Sequence, residues 1–376
     1  RCHSGGPGQG GVRMMDRKTN WGLLLILTLM SGTIFLLLRE QPLSSLLGIL
    51  STIRPGYVLL GLGLMFCFVG CEAMCSKLIL ARLGHHLPYR RCLGYSFTGF
   101  YVSSITPSST GGQPAQIYYM SKDSVPAAHG SLNMMLIAVC YQVVTLGYAV
   151  AAFLLLPSVR TGMGAGLGLL LLYGGAMMLI LTPGMLCMMF LPNAAQRFTG
   201  GLVSLGGRLR LVRHEAQTRE KLARQMDAYR EGAACIRANL NLLPALLLIT
   251  FLQLTALYAV PYVVYLGFGL RAHSLFQLLG AQALVSMAVG SLPLPGAVGV
   301  AEGCALKTFT LFFGPALAAP AVVVARGISF YSFLLLSGGV TLAVHLRARR
   351  AESAPRPARI EKSSVPKKEF PRAAGM

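Results

Sequence analysis

The chain has 376 residues, of which 54% are hydrophobic and only 12% charged, yet its formal net charge is +21. A soluble domain carries about 25% charged residues, so an ordinary water-soluble enzyme is excluded. Nucleic-acid binding is excluded as well, because the basic stretches lack the interleaved aromatics and common face that such a partner needs.

In chain order, residues 1–13 (RCHSGGPGQGGVR) differ in character from everything after them, and Met14 or Met15 is the expected natural start. Residues 1–20 read as a cytoplasmic N-terminal segment. Apolar runs then follow at Trp21–Leu38, Tyr57–Leu80, Ser131–Leu156, Ala165–Leu191, Leu242–Leu270, Leu275–Leu292, Thr308–Ala325 and Gly327–Leu346. A bilayer core is crossed by about 20 apolar residues. The fold class is therefore all-α, a polytopic integral membrane protein with about 8 transmembrane helices. Trp21–Leu38 follows Arg17 and Lys18 as a signal peptide would, but Arg39, Glu40, Gln41 and Pro42 come next instead of a small-residue cleavage site. It reads as an anchored first helix. Cys67, Cys71 and Cys75 recur every four residues and share one helix face, where small polarizable side chains pack. His85 and His86 read as surface histidines of a basic loop.

The 33 basic residues are concentrated in four places: residues 1–20 hold four, 77–91 four, 192–240 nine and 347–376 nine. Basic loops stay on the cytoplasmic side, which puts both termini and the loop at 192–240 in the cytoplasm. The tail 347–376 is basic and Pro-rich and is expected to be disordered. The segment Leu93–Met120 decides the topology. It contains Pro107, Gly111, Gly112 and Pro114, so it cannot be one continuous helix. If it crossed once, the loop at 192–240, with nine basic and four acidic residues, would lie outside. A re-entrant or double-crossing segment keeps that loop inside.

A second interruption runs from Ser291 to Glu302, and its Pro295 precedes Gly299 by four residues, as Pro107 precedes Gly111. Two Gly/Pro-broken re-entrant segments in the two halves of a chain point to a transport site between inverted repeats. Unwound backbone is tolerated at that depth only beside protein or a watery cavity. Helix N-termini after each break would offer N–H donors to an anion. Glu72 and Glu302 are the acidic residues at membrane depth, with Lys307 and Arg326 as basic candidates; Glu302 is expected to pair with Arg326 or Lys307.

The stretches Phe100–Pro107 and Gly111–Tyr118, the segment Pro295–Glu302, and Arg326–Tyr331 resemble the lysylphosphatidylglycerol synthase transmembrane family, the flippase-like membrane domain of the multiple peptide resistance factor. The similarity covers roughly residues 15–346, giving a membrane domain at 21–346. The resemblance implies movement of lysylphosphatidylglycerol or a related anionic or aminoacylated phospholipid between leaflets of the bacterial plasma membrane, linked to resistance to cationic antimicrobial peptides. In the full-length factor a cytosolic domain makes that lipid from lysyl-tRNA. The 30 residues after Leu346 are too few for it, so a separate aminoacyl-lipid synthase is the implied partner. The substrate-binding residues that follow are Thr106, Ser108, Ser109, Gly111, Gly112, Gln113, Gln116, Tyr118, Pro295, Gly296, Gly299, Glu302, Arg326, Ser329 and Tyr331. No cofactor, metal or catalytic residue is expected, since the chain lacks a phosphate loop, a metal-spaced His cluster and a nucleophile elbow. A homo-oligomer is compatible with this reading. The rival functions are a phosphatidylglycerol lysyltransferase, and a secondary transporter or envelope scaffold.

Overall fold

The computed structural model describes residues 53–106, 109–157, 164–191, 229–290, 292 and 299–353. The run Trp21–Leu38, the N-terminal segment, most of the loop at 192–240, the tail beyond 353, and Ser108, Pro295 and Gly296 lie outside the described residues. The described chain is helical: α1 Pro55–Arg82, α2 Tyr89–Ile105, α3 Gly112–Lys122, α4 Ala127–Leu155, α5 Gly164–Phe190, α6 Leu242–Gly267, α7 Leu275–Val289, α8 Val300–Arg326, a π-helical turn Gly327–Tyr331, and α9 Ser332–Ser353. A short helical segment at 229–238 precedes α6.

Among the described residues, five helical stretches are long and apolar enough to cross a membrane: α1, α4, α5, α6, and the run Val300–Arg349. The last has 50 residues. A straight helix of that length would measure about 75 Å, more than twice the hydrocarbon thickness. It folds back instead at Gly314, whose φ of 75° and ψ of 167° interrupt the helix just before Pro315. Glycine adopts that positive φ without a side-chain clash. The eight apolar runs therefore do not map one-to-one onto spans. Leu275–Val289 has 15 residues, about 22 Å, too short to cross. Thr308–Ala325 is split at Gly314, and its second part continues through the π-helical turn into α9 as one crossing.

The interrupted segments form two helical hairpins. In the first, Arg91 and Tyr95 near the start of α2 bond Asp123 just beyond α3. Gly99 touches Gln116, and Gly112 touches Ser103. These pairings run in opposite senses, so α2 and α3 are antiparallel and both outer ends lie on the face that holds Arg82, Arg90 and Lys122, the basic face. The hairpin returns where it entered, which selects the re-entrant reading over two crossings, since α3 has only 11 residues. In the second, the aromatic ring of Phe312 meets His273 and that of Phe313 meets Phe268. The Gly314 end of α8 thus lies beside the start of α7 and the end of α6, on the opposite face. The two hairpins enter from opposite sides.

Packing around them is close because glycine admits backbone contact. A Cβ on Gly174 of α5 would lie 2.0 Å from the carbonyl oxygen of Met287 in α7. The core of α6, α7 and α8 is filled by Leu254, Tyr258, Leu284, Ala288, Phe309 and Phe313. At the basic face the loop after α1 is pinned by a hydrogen bond of 2.9 Å between His85 Nε2 and His129 Nδ1. His85 is thus half-buried rather than a free surface histidine. Burial, and secondarily the neighbouring His129, lowers its pKa below the ordinary imidazole value.

Gly174→Ala is expected to lower the melting temperature of the detergent-solubilised protein, since overpacking a close contact costs about 1–3 kcal/mol; Gly184→Ala, which meets nothing within 4 Å, should leave it unchanged. The depressed His85 pKa means that the unfolded or opened loop binds the proton first. The loop contact is then intact above about pH 6.5 and weakens as pH falls through that value toward the folded pKa. Hydrogen exchange at residues 83–88, corrected for intrinsic rates, should rise on acidification, and His85→Gln should remove that dependence.

Candidate functional site

The first break is held by its own hydroxyls. At Ile105 the helix stops, and Thr106 turns extended with φ −113° and ψ 145°. Thr106 Oγ1 donates back to the carbonyl of Val102 at 2.8 Å and accepts the N–H of Gly111 at 3.0 Å. Ser103 Oγ donates to the carbonyl of Ser109 at 3.3 Å. Backbone groups that leave a helix at this depth find no partner in lipid, and side chains of α2 supply the partners. Helix α3 then begins at Gly112, where a Cβ would lie 1.9 Å from Ser103 Oγ and 2.7 Å from the Gly99 carbonyl. Only glycine lets the two arms close here.

The second break ends on a carboxylate. Gly299, with φ 90°, precedes α8, and its N–H donates to Glu302 Oε2 at 2.6 Å. The other oxygen of Glu302 accepts Arg326 Nε at 2.6 Å and the Tyr331 hydroxyl at 3.3 Å. Glu302 is 1% exposed, and the guanidinium also stacks on Phe330, 4.5 Å from its ring centroid. Of the two sequence candidates, Arg326 is the partner, while Lys307 is exposed. The N-terminus of α8 is therefore closed by its own first-turn acid, which complements the helix dipole. It is not an open anion site, contrary to the sequence expectation.

Both breaks border one cavity of about 720 Å³, within the size range of small-molecule sites. Ser103, Ser109 and Thr110 line it from the first break, Gly290 and Leu292 from the second. Arg326, Ser329 and Phe330 close one wall, and Glu72 of α1 with Gln113 and Gln116 of α3 form another. Apolar side chains such as Phe68, Ile137 and Val285 complete it. The wall can thus meet charge and hydrocarbon together.

The sequence-derived residues separate into groups. Ser109, Gln113, Gln116, Arg326 and Ser329 line the cavity. Thr106, Gly111 and Gly112 instead build the first break, because their atoms are spent on its backbone and on arm-to-arm contact. Gly299, Glu302 and Tyr331 stand behind Arg326 and orient it. Tyr118 is 46% exposed with Lys122 Nζ 5.0 Å from its ring centroid; it is not part of the cavity wall, because α3 turns that residue outward. Ser108, Pro295 and Gly296 lie outside the described residues. Sequence reasoning missed Glu72, Tyr141, Gln142, Thr145, Tyr258, Gln282 and Ser286 as lining groups. Their signal was present as isolated polar residues within apolar runs. Glu72 was visible as an intramembrane acid but could not be assigned to a site.

A protein-family model described as the lysylphosphatidylglycerol synthase TM region matches residues 21–337. No curated protein matches the chain.

Removing one member of a buried ion pair strands the other, at about 3–5 kcal/mol. Arg326 keeps 18% side-chain exposure, so Glu302→Gln and Arg326→Gln should each cost near the lower end, read as melting temperature. The double variant should lose less than the sum of the two; strictly additive losses would show that the residues are not coupled.

Proposed function

Because the chain belongs to the lysylphosphatidylglycerol synthase transmembrane-region family, we propose that it is a lipid translocase, moving an anionic or aminoacylated phospholipid such as lysylphosphatidylglycerol between membrane leaflets. The observation that carries this reading is the single cavity bordered by both broken hairpins, which enter from opposite faces. A charged headgroup crosses hydrocarbon only at high cost. In the cavity it would exchange water for Arg326, Ser109, Gln113 and Ser329, while its acyl chains remain in the bilayer.

The basic face is the cytoplasmic one in this reading, by the excess of Lys and Arg on its loops. The α2–α3 hairpin then opens from the cytoplasm and the α7–α8 hairpin from outside. Each could yield in turn without breaking a full crossing, which is how alternating access is built from inverted elements. Arg326 is the group for the lipid phosphate. Its charge is balanced by Glu302, so the empty cavity does not carry an unpaired cation. Delivery of a lysylated lipid to the outer leaflet would reduce the negative surface potential that draws cationic peptides.

In vesicles reconstituted with the full chain, lysylphosphatidylglycerol placed in one leaflet should reach the other faster than in protein-free vesicles, as read by an impermeant amine reagent. Arg326→Gln should slow this roughly tenfold, the effect of about 1.4 kcal/mol, with a smaller loss for Gln113→Ala. Attaching a bulky maleimide to Ser109→Cys should block it. Equal rates with and without protein would end the proposal.

A further inference from the structure

Among the described residues two carboxylates lie at membrane depth, and they are treated differently. Glu302 is matched by Arg326. Glu72 lies ten residues from the basic end of α1 at Arg82, about 15 Å along the helix, and lines the cavity together with the apolar side chains of Phe68, Val69, Met134 and Ile137. Its hydrogen bond is from Gln116 Nε2 at 3.0 Å. No Lys or Arg among the described residues forms an ion pair with it. The titratable groups facing it are Cys75 on its own helix and Tyr141 on α4. Helix α3 contributes Gln116, α2 contributes Gly99 at the same crossing, and α6 contributes Thr250, which is 4.0 Å from Cys75 Sγ. A lone carboxylate in such surroundings must find a cation or give up its charge.

The partner amide indicates which. Gln116 is 5% exposed, and its Oε1 is buried with no hydrogen-bond partner. Leaving such an acceptor unmade costs about 1–3 kcal/mol. A carboxyl that carries a proton supplies the missing donor. The amide N–H donates to one carboxyl oxygen while the carboxyl O–H donates to the amide oxygen, closing a two-bond ring. Gly99 makes the approach feasible, since a Cβ there would lie 2.1 Å from Gln116 Nε2.

We propose that Glu72 is the proton-binding group of the cavity, and that its protonated form pairs with Gln116 through both amide atoms. In the step, a hydronium ion in the cavity gives its proton to a Glu72 oxygen and leaves as water; the carboxylate becomes neutral and an O–H···Oε1 bond forms. Release reverses it, breaking that bond and restoring one negative charge to the cavity. Gln116 belongs to the re-entrant arm α3, so protonation fastens that arm to α1 more firmly than the charged state does. In the translocase reading, on which this second half rests, lipid movement is coupled to a proton gradient through Glu72 rather than Glu302.

Infrared difference spectra of the full chain in phosphatidylglycerol vesicles, taken as pH is lowered through the neutral range, test the proton site directly. The carbonyl band of a protonated carboxyl should appear in the native protein and in Glu302→Gln. It should be absent from Glu72→Gln and displaced in Gln116→Leu and Gly99→Ala, with melting curves confirming that each variant is folded. A band that persists in Glu72→Gln, or the lack of any band that this substitution removes, overturns the assignment. Leaflet exchange under opposite pH gradients should differ several-fold in the native protein and be equal in Glu72→Gln. Exchange that ignores the pH gradient, or follows a sodium gradient at constant pH, overturns the coupling. A correct band with no lipid movement at all supports the proton site and removes the transport reading instead.

Discussion

Every peptide group inside hydrocarbon needs a partner supplied by the protein, and at two places this chain stops supplying one through its helices. What surrounds those places follows from the debt. At the first break Thr106 and Ser103 return hydrogen bonds to Val102, Gly111 and Ser109. At the second, Glu302 takes the N–H of Gly299 and the guanidinium of Arg326. Ser103, Thr106 and Glu302 are thereby committed to holding the two breaks. The surface left for a cargo comes from their neighbours, Ser109, Gln113 and Gln116 on one side and Arg326 and Ser329 on the other.

The same economy explains the glycines. In lipid, helices gain little from the hydrophobic effect against one another and rely on close contact. Gly112 against Ser103 and Gly99 against Gln116 bring the two arms of the first hairpin together. Gly174 lets α5 meet the backbone of α7. The crossings α1, α4 and α6 form the frame between these contacts, with Tyr258 fully buried among them and hydrogen-bonded toward Thr145. A cavity with polar groups is sustained because the frame around it is tight.

Much of this was legible in the residues. The membrane class follows from unbroken apolar runs, and the return of the first segment to its own side follows from the charge on the loop at 192–240. Within the segments, Pro107 with Gly111 and Pro295 with Gly299 marked where helices end. Other features were legible in principle but not extracted. Lys307 is five residues from Glu302 and points about 140° away around a helix, which already disfavours it against Arg326. The split at Gly314 was signalled by the following Pro315, yet a continuous apolar composition concealed it. The contact of His85 with His129 spans 44 residues, and nothing in the loop after α1 or in the first turn of α4 announces it.

The sequence by itself determined that the chain lives in a bilayer, where its helices are interrupted, and which face collects the positive charge, because solvation by hydrocarbon acts on each segment locally. The tertiary structure alone decided that both interruptions border one cavity, that Glu302 is neutralised while Glu72 is met by an amide, and that α8 folds back at Gly314. Those outcomes depend on which side chains approach across helices far apart in the chain, and that is fixed by close packing at particular glycines, which no local pattern of residues encodes.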